Sequence, residues 1–167
     1  MRIPVGVVVE RRKAKSQWLD VIWLPAAVLS GIPDAAPWTV LSSDGEASMV
    51  YAGAADIELY RSETGNYRDN LTSDMPSIWI SLQATGADPP YQIAAVTVDP
   101  AEGESLTEAG SAVVEAVAMP DIIREAIAAF VAQHHVETVF DKRQRDRADP
   151  EAMARRGPLR GSDDDRS

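Results

Sequence analysis

The chain reads as an α+β protein: mainly an antiparallel sheet or small barrel of about seven strands, followed by a short helix and a C-terminal amphipathic helix. Three observations predict this. Apolar and β-branched residues alternate in short runs through the first hundred residues, turn residues separate those runs closely, and the apolar period lengthens to three and four residues after Pro120.

The strand candidates, in order, are "IPVGVVV" (3–9), "WLDVIWL" (18–24), "WTVLS" (38–42), "SMVYA" (48–52), "DIELYR" (56–61), "SIWISLQ" (77–83) and "YQIAAVTV" (91–98). In "DIELYR", Ile57, Leu59 and Arg61 alternate with Asp56, Glu58 and Tyr60, the pattern of a strand with one wet face. Turn signals lie between the runs: "GIPDAAP", Asp44-Gly45, Gly53, a long polar loop from Ser62 to Met75, and "TGADPP". "DPAE" at 99–102 starts a helix, with Asp99 as N-cap, Pro100 in the first turn and Glu102 placed to complete a capping box. Gly103 and Gly110 keep it short. "SAVVEAVA" is ambiguous, leaning to strand through Val113 and Val114. From Pro120 onward Met119, Ile122, Ile123, Ala126, Ile127, Phe130 and Val131 form one apolar stripe, which His134 extends. Residues 1–140 therefore read as a single domain, and 141–167, charged and interrupted by Pro150, Gly157, Pro158 and Gly161, as a disordered tail.

Composition excludes several function classes. A chain of 167 residues with 45% hydrophobic content can bury a core of its own. It has no cysteine, so it supplies no disulfide, thiolate zinc site or iron–sulfur ligand. The N-terminal apolar run, Val5 to Val9, is too short for a secretory segment, and no later run reaches the ~20 apolar residues of a membrane span. A cytoplasmic location is expected, with no membrane partner.

The net charge of -10 is unevenly distributed. Residues 1–15 carry five basic side chains (Arg2, Arg11, Arg12, Lys13, Lys15) against Glu10; residues 16–140 carry three basic against 18 acidic; residues 141–167 carry eight against seven. So acidic a body repels phosphate backbones and suits a basic or positively patched protein partner.

Four groups of residues are candidates for a binding site. The loop "SETGNYRDNLTSDMPS" concentrates polar chemistry in Glu63, Asn66, Tyr67, Asp69, Asn70, Ser73 and Asp74 and exceeds ordinary hairpin links in length, though Gly65, Asn66, Asn70 and Pro76 also have purely backbone reasons to be there. Its carboxylates match no named metal loop. Trp18 and Trp23 have opposite strand parity, so one of them is a candidate outward-facing recognition indole. The paired Arg11 and Arg12 form the third group, and Lys142, Arg143 and Arg145 begin the fourth, a run interrupted by Asp141 and Asp146 and lacking the aromatics of a nucleic-acid groove. His134 and His135 are adjacent, point about 100° apart on a helix, and so read as a helix end that caps carbonyls rather than as metal ligands. No phosphate loop, dinucleotide fingerprint, nucleophile elbow or zinc-protease motif occurs. No catalytic residue, cofactor or metal is assigned on these grounds.

The segments "VVVERRKAKSQWLDVIWLP", "YRSETGNYRDNLTSDMPSIWISL", "VAMP" and "AFVAQHHVETVFDKRQRDR" together resemble the bacterial domain of unknown function 3305 family over residues 5–147. That resemblance implies genes encoded near those of molybdenum-dependent formate dehydrogenase. It makes the expected function a non-catalytic accessory or assembly role in maturation of that enzyme. The expected partner is then a formate dehydrogenase subunit or a companion maturation protein. The alternative it implies is an enzyme or carrier in molybdopterin-guanine dinucleotide handling, using Glu63, Tyr67, Asn70 and the basic residues. A nucleotidyltransferase of that kind carries a glycine-rich, lysine-ending phosphate loop near its N-terminus, whereas "VGVVVERRKAKS" has one glycine.

Overall fold

The computed structural model describes residues 1–15, 21–110 and 112–136. Trp18, Lys142, Arg143 and Arg145, the boundary expected at 140 and the tail 141–167 fall outside them. Along the chain run β1 (Arg2–Lys13), β2 (Val21–Leu29), β3 (Thr39–Ser43), β4 (Ala47–Glu58), a 3-10 turn (Arg61–Glu63) leading into α1 (Thr64–Thr72), β5 (Ser77–Ala84), β6 (Tyr91–Thr97), α2 (Pro100–Glu108), β7 (Val113–Ala118) and α3 (Asp121–His134).

The strands form two antiparallel sheets, ordered β2-β1-β4-β3 and β6-β5-β7, and not one seven-stranded sheet or a closed barrel. The division follows from burial. Val5, Val7 and Val9 on β1, and Ile78, Ile80 and Leu82 on β5, are all fully buried, so each sheet supplies an apolar face to one shared core. Two expected strands, 48–52 and 56–61, join into the single strand β4. Gly53 between them is no turn: at φ 139° it sits where the pairing with β1 slips, Val7 opposing Gly53 and Val8 opposing Tyr51, so that Ala52 is the extra residue of a bulge. β3 is short, exposed throughout and bulged at Leu41, which blunts it as an edge for pairing with another chain.

Three expectations about the helices need correction. The polar segment 62–75 is not a loop but mostly the 3-10 turn and α1. It escapes a search for apolar periodicity because its buried positions, Thr64, Tyr67 and Asn70, recur every three residues and two of them are polar. On α3 the buried stripe is Ile123, Ile127, Phe130 and Val131, whereas Ile122 is 66% exposed. Adjacent isoleucines lie about 100° apart on a helix, so only one can face the core. At α2, Asp99 does cap the helix, accepting from the Ala101 N–H at 2.9 Å, but no capping box closes. Glu102 accepts instead from the Thr97 hydroxyl (2.8 Å), and that hydroxyl oxygen accepts from the Asp99 N–H (3.1 Å). No described helix is long and apolar enough to cross a membrane.

Candidate functional site

The polar residues of α1 turn inward. Asn70 is 3% exposed, and its amide binds three backbone groups: Nδ2 donates to Ser77 O (2.8 Å) and Val98 O (2.9 Å), while Oδ1 accepts from Ser77 N–H (3.0 Å). One side chain thus ties α1 to the start of β5 and to the chain leaving β6. Tyr67, equally buried, packs its ring on Phe130 of α3 (centroids 6.3 Å apart) and accepts the Tyr60 N–H at 3.0 Å through its hydroxyl. Burial above all, with the nearby charges of Asp99, Glu63 and Glu102, pushes the Tyr67 hydroxyl above the ordinary phenol range; only the Tyr60 N–H opposes it. Glu63 is half-buried and is joined to the same scaffold, because Asn66 Nδ2 bridges it (3.1 Å) to Asp99 (3.3 Å). Among the described residues no group of three or more His, Asp and Glu side chains is placed to hold a metal ion.

The histidines belong to this end as well. His134 packs against Phe130 with the ring centroids 4.6 Å apart and the planes tilted at 56°. His135 terminates α3, its backbone N–H donating to Val131 O, but its imidazole caps no carbonyl of that helix. Nδ1 lies 3.0 Å from Thr64 Oγ1 and Nε2 lies 3.4 Å from Arg68 Nη1, which fastens the end of α3 to α1.

The far end of β1 is built differently. Arg11 is paired across the strands with Trp23, and its guanidinium carbon stands 5.7 Å from the centre of that indole. Trp23 meets Trp38 edge-on (centroids 5.6 Å apart, planes at 81°), and Trp38 holds a left-handed backbone at φ 72°, rare for a residue with a large side chain. Both indoles are half-buried and pack against the core, so Trp23 is a foundation under Arg11. Arg12 points to the opposite face, where its Nε donates to Glu10 Oε1 at 2.6 Å.

Beside it, the turn from β3 to β4 is organised by Asp44, whose carboxylate accepts from the Ala47 N–H (3.0 Å) and the Glu46 N–H (3.3 Å). Those two bonds, helped by Arg12, hold the Asp44 carboxyl below its ordinary range, so it is ionised at neutral pH. Between this turn and the end of β1 lies an open cleft of about 470 Å³ lined by Arg12, Lys13, Lys15, Asp44, Glu46 and Ala47.

The candidate residues therefore separate into two places. Leu59 and Met1 exchange backbone bonds, so the start of β1 lies beside the entry to α1. Arg11 is ten residues further along an extended strand, about 30 Å at ~3.3 Å per residue. Glu63, Tyr67 and Asn70 do not converge with Arg11 and Arg12 on one cleft. Lys13, Lys15, Asp44 and Glu46 complete the cationic end. The lysines were visible in the sequence as part of the same basic run, but the two acids gave no signal, since only the strand pairing brings their turn alongside β1.

The chain belongs to the family described as protein of unknown function (DUF3305), whose model matches residues 4–144 and so spans both ends of the domain. No curated protein and no solved structure matches it.

Proposed function

We propose that this protein is a non-catalytic assembly factor, acting in the cytoplasm by protein–protein binding without a bound cofactor. Its partner is a subunit of a molybdenum-dependent formate dehydrogenase or a companion protein of that enzyme's maturation. The partner follows from the genomic neighbourhood that the family resemblance implies. The mode of action is supported by one observation above the others: guanidinium and ammonium groups stand outward around an open cleft at one end, while the polar groups of α1 that resemble a reaction site are bonded to the protein's own backbone. A surface with that division holds a macromolecule; turnover needs ionisable groups converging on a substrate.

A pull-down from the native host, with the full chain and with a version lacking 141–167, tests the reading. Recovery of a dehydrogenase subunit or maturation protein supports it, and recovery of neither refutes it. Calorimetry against pterin and guanine nucleotides addresses the alternative of cofactor handling: saturable binding would replace the assembly reading.

A further inference from the structure

The cationic end also carries information about the chemistry of what it holds. Four of the eight lysines and arginines among the described residues, Arg11, Arg12, Lys13 and Lys15, lie within five positions. Of these, only Arg12 forms an ion pair among the described residues, with Glu10; Arg11, Lys13 and Lys15 form none. Glu10 engages Nε and Nη2 of Arg12, which leaves Nη1 for another acceptor. Both guanidiniums are already ordered, Arg11 by the Trp23 ring and Arg12 by a carboxylate whose side chain is 17% exposed, so a bound anion need not immobilise them.

The opposite rim restricts which anion fits. Asp44 and Glu46 face the cations across the cleft, and the backbone bonds to Asp44 keep it charged. A continuous polyanion laid through the cleft meets both, whereas carboxylates spaced along a peptide can reach the cations and avoid them. Elsewhere the domain repels such a peptide, since 16–140 carries 18 acidic side chains against three basic.

We propose that this cleft binds a short acidic segment of a partner protein, with Arg12, Lys13 and Lys15 receiving its carboxylates. The proposal rests on the protein-binding reading and narrows it to one chemistry.

Fluorescence anisotropy with the full chain tests it, using a labelled dodecapeptide of alternating glutamate and serine, its glutamine–serine analogue, and a twelve-nucleotide single-stranded oligothymidylate. The glutamate peptide is expected to bind about tenfold or more tightly than the glutamine peptide, and added salt should weaken it. The double substitution Lys13→Glu/Lys15→Glu should cost at least about tenfold in affinity with the melting temperature unchanged, and Lys13→Gln/Lys15→Gln a smaller loss of the same sign. Equal binding of the two peptides, indifference to both double substitutions, or tighter binding of the oligonucleotide would overturn the proposal. The pull-down separates its failure from that of the broader reading: a partner retained equally by Lys13→Glu/Lys15→Glu sinks this inference alone, and a partner never recovered sinks the assembly role.

Discussion

Asn70 on α1 and Arg12 on β1 are both polar side chains with several donors, and in the sequence both stand in dense polar surroundings. In the fold they do opposite things. Asn70 is enclosed, and its amide is bonded on both sides to backbone groups that would otherwise be buried without partners. Arg12 is held at one edge by Glu10 and opens on a cleft at the other. The α1 end uses its polar groups to join elements; the β1 end presents them to an occupant. Density of polar residues alone does not distinguish the two, and burial does.

The sharpest way to break this comparison is Asn70→Ala. It removes three hydrogen bonds and leaves the Ser77 N–H and the Ser77 and Val98 carbonyls unpaired, so stability in denaturant should fall by about 3–5 kcal/mol while the folded fraction keeps its affinity for an acidic peptide. A loss below about 1 kcal/mol, or a change in affinity, would show that Asn70 is not a purely internal fastening.

Gly103→Ala asks whether the helical end is packed as closely as it is bonded. A Cβ there would lie 2.4 Å from Cγ and Cδ2 of the Trp79 indole, so overpacking of about 1–3 kcal/mol should outweigh the gain of about 1 kcal/mol in helix propensity. Thermal melts showing a more stable variant would contradict that packing.

Tyr67→Phe removes the acceptor of the Tyr60 N–H and should cost about 1–2 kcal/mol. The native tyrosine also sets an alkaline limit. Its hydroxyl is raised in the folded state, chiefly by burial, so the stability tied to its neutral form is complete below the ordinary phenol value of about 10 and is lost as pH rises through the folded value. Ultraviolet titration should find two tyrosines ionising late, exposed Tyr60 through its hydrogen bond to Glu58 and buried Tyr67 together with unfolding; ionisation of Tyr67 without loss of structure would refute this.

The smallest effect on stability belongs to the other end. Arg11→Ala forfeits one exposed cation–π contact and Arg12→Ala one ion pair between an exposed arginine and the half-buried Glu10, each worth about 0.5–1 kcal/mol. Both should melt close to the parent protein, and Arg12→Ala, which alone of the two removes a group lining the cleft, should also weaken partner capture. A large loss of stability in either would place that arginine with Asn70 among the internal supports.

Much of this architecture was readable from local pattern. The β1 run Val5-Val7-Val9, the β5 run Ile78-Ile80-Leu82 and the α3 stripe Ile123-Ile127-Phe130-Val131 are all apolar at the period of their own element, and all are core. Reading failed where burial is polar or geometry is irregular. The buried positions of α1 include Thr64 and Asn70, which look like solvent-facing residues until β5 and the end of β6 supply their partners. Gly53 carries the local signature of a turn, and only the pairing of β4 with β1 makes it a bulge.

The amino-acid order by itself determined the α+β class, most strand positions, the Asp99 cap and the segregation of charge, because each depends on neighbours within a few residues. The tertiary structure alone decided that the strands divide between two sheets, that Tyr67 and Asn70 face inward, and that Asp44 and Glu46 stand across a cleft from Arg12, Lys13 and Lys15. Those outcomes depend on which distant segments supply hydrogen-bond partners and apolar cover, and local periodicity holds no record of that.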